Sequence, residues 1–121
     1  MLKFFTLTTL ALIAGLSAPA RAYCVVNGAS VPVHAQSLDA SGMVAEIEPG
    51  ARFCTGGKDG GRMASILVVT DFRPVGQKGA RPGWRAECRA DVPAAGWVEV
   101  SGERNRIACR THAVMPEEWK N

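Results

Sequence analysis

The chain has 121 residues and a formal net charge of +3, from 14 lysines and arginines against 11 aspartates and glutamates. A chain of this length predicts one domain with one modest core. Two of the basic residues lie in the first 22 positions, so the remainder is close to neutral, and bulk charge gives no argument for nucleic acid or for an anionic membrane.

The first 22 residues match a secretory signal peptide. A short positive segment, Met1 to Lys3, precedes an apolar run from Phe4 to Leu16, and Ala20-Arg21-Ala22 then forms an Ala-x-Ala cleavage site. The apolar run is too short for a spanning helix, and no later stretch reaches about 18 apolar residues. We therefore expect no transmembrane segment after cleavage.

A cysteine close to this site raises the alternative of a bacterial lipoprotein. Tyr23, which precedes Cys24, is not the small residue that lipoprotein processing needs. We therefore expect a signal peptide over residues 1–22 and a single exported β-domain over residues 23–121, either periplasmic or secreted.

The first predicted strand runs from Tyr23 to Asn27, and the dipeptide Asn27-Gly28 predicts a turn that ends it. Apolar and polar residues then alternate from Val31 to Gln36, the pattern of a half-buried strand. Because Pro32 cannot donate to a β-ladder, this strand either lies at a sheet edge or turns Pro32 outward.

The next stretch, Met43 to Cys54, predicts a strand, a Pro-Gly turn and a second extended run. Met43, Ala45 and Ile47 share a core-facing side, whereas the glutamates that alternate with them face water. Further on, the continuously apolar Ile66 to Val69 predicts a central strand covered on both faces.

Apolar and polar residues also alternate clearly in the second half of the chain. From Trp84 to Asp91 every other residue is apolar, which predicts that Trp84 is buried beside Cys88. Further extended segments follow at Trp97 to Val100 and Arg104 to His112, and the tail from Met115 to Asn121 predicts at most one loose helical turn. The chain therefore predicts an all-β fold, a small disulfide-braced sandwich or open barrel of about seven short antiparallel strands.

Four cysteines, Cys24, Cys54, Cys88 and Cys109, lie after the signal peptide. An even number in a short exported chain predicts two disulfides, and the lack of a close Cys pair argues against a zinc site. The residues alone leave three connectivities open.

Two segments resemble a group of small exported bacterial domains of unknown function, which begin with a strand ending in Cys-Asn and later carry Pro-Gly-x-Cys. The matching segments are Cys24-Val25-Val26-Asn27-Gly28 and Glu48-Pro49-Gly50-Ala51-Arg52-Phe53-Cys54. Cys24 lies two positions earlier in the chain than the cysteine of that pattern, and Cys54 lies two positions later. In an antiparallel strand pair, moving one residue back by two and its partner forward by two keeps them opposite each other. The resemblance implies a Cys24–Cys54 disulfide, which leaves Cys88–Cys109, and implies no activity.

No motif in the sequence predicts an enzyme, a metal site or a cofactor. His34 and His112 both fall on outward strand faces, far apart in sequence, and we expect them to be ordinary surface residues. The cysteines are committed to disulfides, so no thiol nucleophile remains. We expect no catalytic residues.

Arginines are the most suggestive feature. If the last strands are neighbours, five of them share one outer face and form a candidate anion-binding surface: Arg85, Arg89, Arg104, Arg106 and Arg110. Arg73, Lys78 and Arg81 in the adjoining loop would extend it. The alternative, favoured by the near-neutral charge, is pairing across strands with Glu87, Glu99 and Glu103.

Trp97 is a candidate exposed aromatic, since it is out of phase with Val98 and Val100 and could stack on a sugar or ligand ring. An equally good interpretation is a strand-end residue that covers the edge of the core. The sequence thus predicts an exported binding or structural module, with an anionic glycan, lipopolysaccharide or an acidic protein as candidate partners. The alternative is a small enzyme or enzyme inhibitor of the cell envelope, for which the loop Arg73 to Gly83 is the candidate contact segment.

Overall fold

Eight strands form two four-stranded sheets in the computed structural model, which describes residues 23–38, 43–55, 63–74 and 83–119. The strands are β1 (Tyr23–Ala29), β2 (Val33–Ser37), β3 (Val44–Ile47), β4 (Arg52–Cys54), β5 (Ala64–Val69), β6 (Glu87–Val92), β7 (Gly96–Glu103) and β8 (Arg106–His112). Sheet I has the order β4-β1-β7-β8, and sheet II has the order β3-β2-β5-β6. The predicted sandwich is confirmed, with eight strands and open sheets. The predicted signal peptide lies outside the described residues.

The core lies between the two sheets and follows the predicted alternation. Met43, Ala45 and Ile47 are buried, as expected for the inward side of β3. β5 lies between β2 and β6, and both Leu67 and Val69 on its outer side are buried as well as the inward residues. The prediction of a central strand covered on both faces is therefore confirmed.

One strand pair departs from the predicted antiparallel arrangement. β1 runs parallel to β7, in a register from Tyr23 opposite Gly96 to Ala29 opposite Gly102. All of sheet II lies between these two strands in sequence, so no turn constrains their relative direction. Gly28 allows the close approach, because a Cβ there would lie 2.8 Å from the carbonyl oxygen of Val100.

The turn predicted at Asn27-Gly28 is wrong, since β1 continues to Ala29. Asn27 is fully buried, and its Nδ2 donates to the carbonyl oxygens of Val31 and Ile47, both at 2.9 Å. Its Oδ1 accepts from the backbone N–H of Ala29 at 2.8 Å. The amide therefore ties β1 to β3 across the sandwich instead of reversing the chain.

The position of Pro32 is explained by the later start of its strand. β2 begins at Val33 and lies between β3 and β5, so it is not an edge strand. Pro32 precedes the ladder and is exposed, which agrees with the second of the two predicted arrangements.

Two disulfides cross-link the strands, one within sheet I and one between the two sheets. Cys24–Cys54 joins directly paired positions of β1 and β4, with the Cα atoms 4.0 Å apart. Cys88–Cys109 joins β6 of sheet II to β8 of sheet I, with a Cα separation of 5.6 Å. This is the pairing that the resemblance implies. Two disulfides fit an oxidising, extracellular environment.

Candidate anion-binding cleft

The predicted arginine face is divided, because β6 and β8 belong to different sheets. Arg89 lies on the outer side of sheet II, with its Nε 3.4 Å from Glu87. Arg106 and Arg110 lie on the outer side of sheet I, and neither forms an ion pair with a described residue. Arg110 faces Glu99 in register, but Glu99 accepts a hydrogen bond from His112 Nε2 at 2.9 Å instead.

The two remaining arginines meet at one carboxylate. Arg85 Nε lies 2.9 Å from Asp71 Oδ2, and Arg104 Nε lies 3.5 Å from Asp71 Oδ1. Asp71 has a φ of 51°, in the left-handed region that residues other than glycine rarely adopt. Two guanidinium groups therefore share a single negative charge, which leaves this end of sheet II locally positive.

A buried threonine positions these arginines. The Oγ1 of Thr70 donates to the carbonyl oxygen of Arg104 at 2.6 Å and accepts from the N–H of Ala86 at 3.1 Å. The Thr70 backbone also pairs with Ala86 and accepts from the N–H of Arg85. Thr70 thus links the end of β5 to the start of β6 and to the β7–β8 turn.

We expect Thr70→Val to lower the free energy of unfolding by about 1 to 3 kcal/mol, because it removes two part-buried hydrogen bonds while keeping the shape of the side chain. Urea denaturation measures the loss. Thr111→Val is the matched control, since Thr111 also donates to a backbone carbonyl but is exposed, and we expect it to cost less than about 0.5 kcal/mol. Equal effects would contradict the role of Thr70.

Two aromatic residues and a further arginine complete a surface cleft next to this cluster. Its volume is about 620 Å³, and its described lining is Asp71, Phe72, Arg73, Trp84 and Arg85. This volume lies within the range of small-molecule sites. Arg73 and Gly83 exchange two backbone hydrogen bonds, of 2.7 and 3.0 Å, which bring the two ends of the intervening loop together. No described side chain forms an ion pair with the Arg73 guanidinium.

The predicted burial of Trp84 is wrong. Its side chain is 40% exposed, and its Nε1 donates to Glu87 Oε1 at 2.9 Å. The alternation holds from Ala86 onward, but β6 begins only at Glu87. Before Ala86 the chain bends, because Gly83 pairs with Arg73 and the N–H of Arg85 bonds to Thr70. The indole is therefore placed at the cleft and not in the core.

His34 is buried, although it was predicted at the surface. It is 7% exposed, lies 2.7 Å from Glu46 through Nδ1 and 3.0 Å from Gln36 through Nε2, and stacks on Phe72 with ring centroids 3.9 Å apart. It does point away from the core, but Phe72 folds back over it. His34 thereby holds Phe72 in place at the cleft wall.

On the opposite side of the sandwich, Trp97 is half-buried, which favours the second of its two interpretations, a residue that covers the edge of the core. It stacks on His112 at 4.0 Å between centroids, and Trp119 meets it edge-on at 5.1 Å. Arg52 lies over Trp119, 4.7 Å from the ring centroid. These contacts hold the C-terminal segment against sheet I, where Met115 is buried 3.8 Å from the sulfur of Cys24.

No single sequence motif predicts the cleft, because its lining residues come from the two ends of the loop between Arg73 and Gly83. Lys78 and Arg81, which were expected to extend the arginine surface, lie outside the described residues.

Among the residues that the structure does describe, no group of three His, Cys, Asp or Glu side chains could hold a metal ion. In the same part of the chain, no helix has both the length and the apolar character needed to cross a membrane. Compared with known proteins, the chain matches no family model, no curated protein and no solved structure.

Proposed function

We propose that the protein is an exported binding module, periplasmic or secreted, and that its cleft takes an anionic ligand. The supporting observation is the excess of guanidinium groups at one place. Arg85 and Arg104 share the carboxylate of Asp71, and Arg73 beside them has no ion-pair partner among the described residues. An anion in the cleft supplies the negative charge that the site lacks.

The arginines have donors to spare for such a ligand. Arg85, which lines the cleft, uses Nε for Asp71 and Nη1 for Asn105; Arg104 lies behind the described lining and reaches the site only through Asp71. A guanidinium presents five N–H donors in a planar fork that matches a carboxylate, sulfate or phosphate group. The pairs with Asp71 are exposed and contribute little stability by themselves, so their value lies in orienting the guanidinium groups.

Arg73→Gln with Arg85→Gln tests the proposal by retention on a heparin column. We expect the double variant to elute at clearly lower salt and to bind about 3- to 30-fold more weakly, because both arginines are exposed and each exposed charge pair contributes up to about 1 kcal/mol. The wild-type affinity falls with salt concentration, as for any binding dominated by charge.

Arg106→Gln with Arg110→Gln is the matched control. It removes the same net charge from the outer face of sheet I, where neither arginine pairs with a described residue. We expect its elution to stay close to that of the wild type. If the two double variants lose retention equally, binding follows net charge and not the cleft. If the wild type is not retained at all, the proposal fails.

A further inference from the structure

We infer that the ligand of the cleft is an acidic sugar, a pyranose ring that carries a carboxylate. This inference rests on the proposed function and deepens it. The acidic group contacts Arg73 and Arg85, and the apolar face of the ring packs on Trp84. The reasons are the aromatic walls of the cleft, the position of the Asp71 carboxylate and the shape of the site.

Trp84 is arranged to offer a ring face. Its Nε1 is already bonded to Glu87, at 2.9 Å, so the indole has no free donor for a ligand. The bond also orients the ring, while 40% of the side chain stays open to solvent. A flat, preoriented aromatic surface suits the C–H face of a pyranose, which is apolar and nearly flat.

Phe72 supplies a second apolar wall that is also fixed in place. Its ring stacks on His34 with an interplanar angle of 10°, and His34 is itself held by Glu46 and Gln36. The wall is therefore rigid before any ligand arrives, which lowers the entropic cost of binding. Two aromatic residues in the same cleft as the charged groups are more than a plain polyanion requires.

Asp71 distinguishes a sugar from a purely anionic ligand. Its carboxylate lies at the same cleft as the arginines and can accept hydrogen bonds from hydroxyl groups. A pyranose offers several such hydroxyls next to its acidic group, whereas sulfate offers no donor and an acidic peptide offers only its backbone N–H groups. Donors from arginine and an acceptor from aspartate therefore match the mixed polarity of an acidic sugar.

The volume agrees with a short ligand. A cleft of about 620 Å³ holds a ring or a few rings and not a long polymer in full. The arginines on the outer face of sheet I are on the other side of the sandwich and do not continue the cleft. A glycan would therefore be recognised at one or a few acidic residues along its length.

The test is isothermal titration calorimetry of the protein without its signal peptide against three soluble probes. These are trigalacturonic acid, the neutral trisaccharide maltotriose and triglutamate, which carries carboxylates without a pyranose ring. We expect trigalacturonic acid to bind at least about tenfold more tightly than triglutamate, and maltotriose to bind more weakly than trigalacturonic acid, because the ring and the charge each contribute.

Four variants separate these contributions. Trp84→Ala is expected to weaken trigalacturonic acid by about three- to tenfold and to leave triglutamate unchanged, with Trp84→Phe retaining most of the affinity. Gly83→Ala preserves the net charge but places a Cβ 2.8 Å from Arg73 Nη2, so the guanidinium must move and both acidic probes weaken. Arg110→Gln is the control and is expected to change none of the three.

The outcomes distinguish the two levels of the proposal. Triglutamate binding as tightly as trigalacturonic acid, or a Trp84→Ala variant with wild-type affinity for the sugar, overturns the acidic-sugar inference and leaves the anion-binding module standing. Failure to bind any acidic probe, together with no retention on heparin, overturns both. Because heparin itself contains acidic pyranoses, the triglutamate arm is the one that separates ring recognition from charge.

Discussion

Replacing Cys88 and Cys109 by alanine is expected to lower the free energy of unfolding by about 3 to 4 kcal/mol, since this disulfide closes a loop over a sequence separation of 21 residues. A domain of this size has a net stability of only about 5 to 15 kcal/mol. The disulfide also joins the two sheets, which meet along β6 and β8. Urea denaturation measures the loss, and hydrogen exchange shows whether β6 and β8 lose protection.

The matched control is the second disulfide. Cys24→Ala with Cys54→Ala removes a cross-link within sheet I, over a separation of 30 residues, and frees the three-residue edge strand β4. We expect a comparable loss in stability, again about 3 to 4 kcal/mol, but unchanged exchange protection of β6 and β8. An unchanged denaturation midpoint in the Cys88/Cys109 variant, or an unchanged melting curve under reductant, would refute the role given to the disulfides.

Asn27→Leu is expected to destabilise the protein by about 3 to 5 kcal/mol, because it leaves two carbonyl oxygens and one N–H group without partners in a buried site. Those groups belong to Val31, Ile47 and Ala29, which lie on both sides of the sandwich. Leucine keeps the branched shape of asparagine and leaves no cavity, but it is larger, so overpacking adds to the loss of the hydrogen bonds. The measurement is the urea midpoint at constant slope.

Asn105→Leu provides the comparison, since Asn105 is exposed and its side chain accepts one hydrogen bond, from Arg85. We expect it to change the stability by less than about 0.5 kcal/mol. A small effect of Asn27→Leu, similar to that of Asn105→Leu, would mean that the buried amide is not the link between the sheets.

Side-chain direction could be predicted wherever the strand itself determines it. The inward side of β3, the doubly covered β5 and the inward positions of Ala86 and Cys88 all follow from alternation. This works because successive side chains of a strand point to opposite faces whatever the strand pairs with.

The same local rule fails where distant hydrogen bonds redirect the chain. Asn27-Gly28 has the composition of a turn, but its amide finds partners in β3, about 20 residues away. In the sequence, Trp84 continues the alternation of apolar and polar residues in β6. In the structure, the pairing of Gly83 with Arg73 bends the chain before the strand begins. His34 points outward as predicted and is buried only because Phe72 covers it.

The sequence by itself determined that the chain makes short alternating strands, which residues of each strand face inward, and that four cysteines are available for two disulfides. The tertiary structure decided that β1 runs parallel to β7, and that β6 and β8 lie in different sheets. It therefore also decided that Arg85 and Arg104 meet at Asp71 while Arg106 and Arg110 lie elsewhere. The physical reason is that alternation belongs to each strand's own backbone, whereas pairing depends on how strands far apart in sequence bury their apolar faces together.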